Sequence, residues 1–298
     1  MAFITTLPIW VCCLVFSLPA LIAWLAFGTK IGLFGVIIWF VYGIIITDFL
    51  PPISRSGMTY YQMPPIPDPQ HIRVLTLYEN CEEDPALQQI SELHPDVIFI
   101  QGCSNQERTL TLARNLFGRT ANVAQIGNCA IIVRDGQIGP THSITDTSGV
   151  IVDWIPENAN LAIRLININL ETFENRFDWY TPTCWKYFHT LRVIHRKQLQ
   201  YLFDTVREIG TQYGNLPIIL AGNFSEPPQS PIFIKLNSDF KDCFKLRGEG
   251  YGATHPTYFP MLRLNRIFCM HPLKPERATT LSIPNAIRRA VLTDIALP

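Results

Sequence analysis

Charge is missing from the start of this chain. Residues 8–28, PIWVCCLVFSLPALIAWLAFG, and 31–47, IGLFGVIIWFVYGIIIT, contain no charged side chain. A cleaved secretory leader opens on a positive n-region. MAFITTLP has no basic residue, and a second apolar run follows at once, so a leader fits poorly. Excess basic charge is missing too. Lys plus Arg number 24 and Asp plus Glu number 24, for a formal net charge of zero, without the basic footprint that a nucleic-acid binder usually carries. The eight cysteines form no CxxC pair and no evenly spaced ladder. They read as buried thiols, with disulfides open to them only in an oxidising compartment. No GxSxG is present, which leaves a serine-hydrolase reading without support. There is no internal repeat.

What is there begins with length. Each uncharged run is close to the ~20 residues that cross a hydrocarbon core, and Trp10, Trp24, Trp39 and Tyr42 are placed as interfacial anchors. Pro19 falls inside the first run, which a membrane helix tolerates. The expectation is a transmembrane helical hairpin in residues 1–50, with both ends on one side of the bilayer. Lys30 in the link favours an extracytoplasmic C-terminal domain, and Arg55 pulls the other way. Residues 51–70 hold six prolines and read as a stiff, extended spacer.

Residues 71–298 alternate strand-like and helix-like segments. IRVLTLY, DVIFIQG, CAIIVRD, VIVDWI, LAIRLININL and PIILAGN read as strands, and FKDCFKL, RLNRIFCM and AIRRAVLT as closing strands. PALQQISELH, NQERTLTLARNLF and residues 188–209 read as helices, the last with Leu191, Ile194, Leu199, Leu202 and Val206 near one face. The mixture predicts a layered α/β sandwich.

The ordered set PDVIFIQG, ININL, PIILAGNFS, RLNRIF and the C-terminal residues resembles the endonuclease/exonuclease/phosphatase superfamily over residues 72–298. That resemblance implies a DNase-like, four-layered α/β/β/α sandwich. With the N-terminal hairpin, the chain is similar to teicoplanin-resistance-type membrane proteins. The superfamily holds a divalent cation on carboxylates and aims a water at phosphorus. Position by position, the resemblance places Tyr78 where the family has a supporting Asn, with Asn80 as the alternative. Gly102 stands for the metal-binding Glu, Asn169 for the central His, and Asn223 and Ser225 for the acid and amide of GDFN. Asn265 stands for the Asp of RIDY. The terminal SDH is matched to Thr293, Asp294 and Ile295, so Asp294 is the surviving acid and the His is lost. An Asn side chain carries no charge and cannot serve as a base near neutral pH. General acid–base work alone is worth ~10²–10⁴ in rate, so the expectation is a catalytically inactive member with no metal and no cofactor. The rival is a live metal-dependent membrane phosphoesterase with a rebuilt metal site.

Other features have plainer readings. GEGYGA reads as a flexible turn, because it opens no helix. His189 and His195 lie on different faces of one helix and read as surface or core histidines. Asp294 is open to a role as a leftover catalytic acid, with a structural ion pair or turn as the plainer reading; Arg288 and Arg289 are open to binding an anion, with solvated side chains as the plainer reading. Residues 172–190 concentrate aromatics in a loop-like stretch. Phe177, Trp179, Tyr180, Trp185 and Tyr187 are the candidate contacts for a protein partner in a membrane complex or for the bilayer face; a loop packed on its own domain is the plainer reading. No nucleic-acid partner is expected.

Overall fold

The computed structural model describes residues 9–46, 70–78, 84–144, 148–157, 159, 161–172, 181–228, 230–255, 257, 262–283 and 286–298. Near the N-terminus, helices α1 (Ile9–Phe27) and α2 (Lys30–Ile46) form a hairpin. Gly28 turns the chain at φ +61°, and the Thr29 hydroxyl donates to the Ala23 carbonyl at 3.1 Å. Phe16 stacks on Trp39 across the pair, with centroids 5.3 Å apart. At a rise of ~1.5 Å per residue, helices of 19 and 17 residues reach about 28 and 26 Å, just short of the ~30 Å hydrocarbon core. Among the described residues, no helix is long and apolar enough to cross a membrane. The proline-rich spacer lies outside the described residues except for Gln70.

Two six-stranded sheets make the domain. One contains β1 (His71–Tyr78), β2 (Val97–Gln101), β3 (Asn122–Ile126), β4 (Cys129–Val133), β11 (Lys274–Leu281) and β12 (Ala290–Ala296), in the order β11-β12-β1-β2-β4-β3. The other contains β5 (Gln137–Ser143), β6 (Ser148–Ile155), β7 (Ile163–Asn169), β8 (Ile218–Asn223), β9 (Phe240–Asp242) and β10 (Asn265–Met270), in the order β5-β6-β7-β8-β10-β9. The β1–β2 and β7–β8 pairs are parallel; their neighbours are antiparallel.

Alternation along the strands builds the layers. Val74, Phe99 and Ile131 face Val152, Leu165 and Ile219 between the sheets. The intervening Leu75, Ile98 and Ile132 pack outward on α3 (Asp84–Glu92) and α4 (Gln106–Phe117), with Ile90, Leu93 and Leu112. Ile166, Ile168 and Leu220 pack outward with Leu199 and Leu202 of α5 (Pro182–Tyr213). This is the expected four-layered sandwich.

Three element readings are corrected. FKDCFKL is not one strand: β9 ends at Asp242, whose side chain accepts from the Lys245 amide at 3.0 Å and caps the short helix Cys243–Arg247. Helix α5 begins at Pro182, not near Phe188. Thr181 caps it by accepting from the Cys184 amide at 3.2 Å, and Pro182 suits the first turn. Trp185 and Tyr187 are therefore helical, not in a loop. Strands β3, β5 and β11 were not anticipated at all.

Candidate functional site

Inward-facing positions change character along each strand. Strand β7 reads Ile163, Leu165, Asn167, Asn169; β8 reads Ile219, Ala221, Asn223; β10, running the other way, reads Cys269, Ile267, Asn265. The apolar residues fill the layer between the sheets, and the amides gather at its head. Just below that head, Gln101 donates to Asn167 Oδ1 at 2.7 Å and to Thr76 Oγ1 at 3.1 Å. Asn167 Nδ2 in turn donates to the Ile100 and Ala130 carbonyls at 2.7 Å each. Buried amides thus bridge the two sheets with their polar atoms satisfied.

The GNFS turn sits above this bridge. Gly222 has φ +140°, and a Cβ there would collide with the Ile168 carbonyl oxygen on β7, so this strand crossing requires glycine. Asn223 Oδ1 accepts from the Ser225 amide at 3.0 Å, an Asx-turn that holds Ser225 at φ +48°. Asn223 Nδ2 donates to Asn169 Oδ1 at 2.8 Å and to Ser225 Oγ at 3.0 Å. Asn265 lies directly opposite Asn223 across the β8–β10 pair; its Nδ2 donates to the Arg289 carbonyl at 3.3 Å.

The remaining member is Arg288, just ahead of β12. The Arg289 amide donates to the Thr254 carbonyl at 2.8 Å, and the Thr254 hydroxyl accepts from the Leu264 and Asn265 amides at 2.9 and 3.2 Å, so the heads of β10 and β12 are tied together. Arg288 Nη1 donates to Asn223 Oδ1, and its guanidinium lies 4.3 Å from the centre of the Tyr78 ring. Burial pulls Arg288 down to about 10, which still leaves a full cation at neutral pH. Burial, with Arg288 adding to it, pulls His255 down to about 4, so its imidazole is neutral there.

Tyr78, Asn169, Asn223, Ser225 and Asn265 are therefore brought together, with Gly102 at the end of β2 beside Tyr78 at the end of β1. Gly102 has φ +91°. A side chain there would be strained by ~1–3 kcal/mol, so this backbone disfavours a carboxylate as well as lacking one. Asp294 and Ile295 are not at the site, which corrects the match to the terminal motif. Asp294 sits on the outer face of β12 opposite Arg73, with Arg73 Nε to Asp294 Oδ1 at 2.7 Å. Ile295 is buried between the sheets. A residue from this end must stand ahead of β12 to meet Asn223, and Arg288 does so. The reading of Arg288 as solvated is corrected: it is 3% exposed. Its signal in sequence was slight, one Arg of an adjacent pair. Asn80, Phe177, Trp179 and Tyr180 lie outside the described residues. Trp185 is exposed on α5, and half-buried Tyr187 meets Phe188 edge-on with centroids 5.4 Å apart. His189 is exposed. His195 is wholly buried, its ring nitrogens 3.1 Å from Glu226 Oε1 and 2.7 Å from the Glu171 carbonyl.

A hard divalent cation prefers carboxylate oxygens. The described residues gathered here offer amides, the Ser225 and Tyr78 hydroxyls and a guanidinium. No group of three or more His, Cys, Asp or Glu among the described residues is placed to hold a metal ion. A metal ion would also meet the Arg288 charge. These residues do not fit the family's cation.

A two-sheet sandwich with its polar cluster at the head of the parallel strand pairs defines a phosphoesterase-type fold. The Endonuclease/Exonuclease/phosphatase family profile matches residues 77–291, and the chain belongs to that family. A mannosyl-6-phosphatase of Bacteroides thetaiotaomicron superposes with a TM-score of 0.57 at 12% identity, covering 76% of this chain and 100% of that one. The human Nocturnin catalytic domain gives 0.57 at 14% identity, over 77% and 95%. Truncated TDP2 of Caenorhabditis elegans gives 0.54 at 14%, over 76% and 98%. No curated protein matches by sequence.

Proposed function

We propose that this protein is a membrane-anchored, catalytically inactive member of the family, whose domain serves a structural or partner-binding role as an accessory subunit of a membrane complex. The observation that carries the reading is the chemistry at the head of the sheets. Gly102, Asn169, Asn223 and Asn265 supply neither a carboxylate nor an imidazole, and a guanidinium lies among them. Anchoring is supported by α1 and α2, which are apolar on all sides, with Phe27 77% and Ile31 86% exposed. Such helices belong in a core or a bilayer. Lys30, in the link between the apolar runs, supports an extracytoplasmic domain, and Arg55 pulls the other way. Trp185 and Tyr187, with Phe177, Trp179 and Tyr180, supply the partner contact, because interface hot spots favour Trp and Tyr.

The test is turnover by the purified full chain of DNA, a phosphate monoester and a lipid pyrophosphate, with Mg²⁺ or Mn²⁺. No turnover is expected; metal-dependent turnover abolished by Asn223→Ala would overturn the reading. Alkaline carbonate should leave the chain in the membrane fraction. Co-purification in mild detergent should lose its partner in the Trp179→Ala, Trp185→Ala double variant.

A further inference from the structure

Six of the described arginines of the domain are buried: Arg73, Arg164, Arg192, Arg263, Arg266 and Arg288. Arg73, Arg164, Arg192 and Arg263 face Asp294, Asp153, Glu226 and Asp242 at 2.7, 2.7, 3.8 and 2.7 Å. Arg266 donates to the Glu226 and Arg263 carbonyls. Arg288 differs: among the described residues it has only an amide oxygen and a ring face, and its Nε is buried without a partner. Asn265 Oδ1, on the residue paired with Asn223, is likewise a buried acceptor without a partner. An unmatched buried cation costs several kcal/mol, and each orphaned polar atom adds to that.

We propose that the head of the sandwich is a metal-independent oxyanion site, with Arg288 as its built-in cation and a protonated oxyanion of the hydrogen-phosphate type as its ligand. An oxyanion supplies the charge and the acceptor oxygens that Arg288 lacks. A hydroxyl on the same group supplies the donor that Asn265 Oδ1 lacks. Asn169 and Ser225 offer further hydrogen bonds without adding negative charge. This inference deepens the inactive reading of the site: the fold binds the anion but holds neither a metal nor a base to act on it.

The experiment is isothermal titration of the full chain, in detergent with EDTA, with inorganic phosphate at constant ionic strength. Acetate, which has no donor hydroxyl as the anion, is the comparison. Saturable one-to-one phosphate binding is expected, at least tenfold tighter than acetate and not strengthened by Mg²⁺. Arg288→Gln should weaken it at least tenfold. Asn223→Asp should do the same by giving Arg288 an internal carboxylate, and it keeps that cation matched if Arg288→Gln fails to fold. Absence of saturable binding, binding that needs Mg²⁺, or undiminished binding in Asn223→Asp would overturn the proposal. Turnover is scored separately, so a chain that neither binds nor hydrolyses defeats this inference alone, whereas metal-dependent hydrolysis defeats the functional reading.

Discussion

Arg73 and Arg288 are both almost fully buried, at opposite ends of one sheet, and the protein treats them differently. Arg73 is held at Nε and Nη2 by the two oxygens of Asp294, at 2.7 and 3.2 Å, and its Nη1 donates to the Leu93 carbonyl at 2.9 Å. Arg288 has Asn223 and the Tyr78 ring. At Arg73 the fold closes a buried charge with a bidentate carboxylate, the strong form of such a contact. Among the described residues the same need is left unmet at Arg288, at the end where the inward positions of β7, β8 and β10 turn polar. The far end is closed scaffold, and the head is where the proposed oxyanion site lies.

That contrast can be broken from either side. The largest effect is expected from Asp294→Ala, which would strand Arg73; breaking one partner of a buried pair costs ~3–5 kcal/mol, read as a melting point lowered by roughly 10 °C. No change in melting would mean that the pair is not structural. Asn223→Asp, with the Asn169 amide turned over to donate where it now accepts from Asn223 Nδ2, should make the two ends alike and raise stability by about 1 kcal/mol, in line with charged hydrogen bonds; chemical denaturation measures it, and a loss of stability that persists in Asn223→Asp with Asn169→Ala would show that Arg288 needs no acceptor. Arg288→Met should stay within about 1 kcal/mol of the parent, because removing an unmatched cation offsets the lost ring contact. A cost as large as that of Asp294→Ala would erase the difference between the ends.

The smallest effect concerns His255. Its pKa is depressed in the folded state from 6.5 to about 4, so the unfolded chain takes up the proton first. Stability from this source is fully present above pH 6.5 and is lost as pH falls towards about 4. His255→Gln should flatten that part of the stability–pH curve. An unchanged slope would put the histidine outside the influence of burial and Arg288.

Which parts of the fold were legible follows from where they sit. The central strands β1, β2, β4, β6, β7 and β8 are apolar runs and could be read directly. The strands that escaped, β3, β5 and β11, are all sheet edges, and β9, cut short, is the fourth edge. QIGPTHS and KPERATTL carry the proline, charge and broken alternation that protect a sheet edge, and the same devices hide a strand from pattern reading. Helix α5 was seen, but its start was placed late, since its cap at Thr181 lies among aromatics that read as a loop. At the site, the matches at Asn169, Asn223, Ser225 and Asn265 converge because each sits at a strand end within a recognisable run. Asp294 was misplaced because a short motif near a chain end has no flanking pattern to fix its register, so the match fell inside β12 rather than ahead of it, where Arg288 stands.

By itself the sequence determined the sandwich, the uncharged hairpin and the replacement of acidic and imidazole positions by amides and glycine. These are local properties: apolar alternation sets which face is buried, and a residue's identity sets whether it can carry charge. Only the tertiary structure decided which charges meet. Arg73 and Asp294 are far apart in the chain and become partners because β1 and β12 lie antiparallel in register. Arg288 meets no carboxylate among the described residues because the loops around Thr254 and Leu264 hold it under Tyr78 against Asn223. Burial of a charge costs or stabilises according to its neighbours in space, and strand pairing, which a linear pattern does not specify, chooses those neighbours.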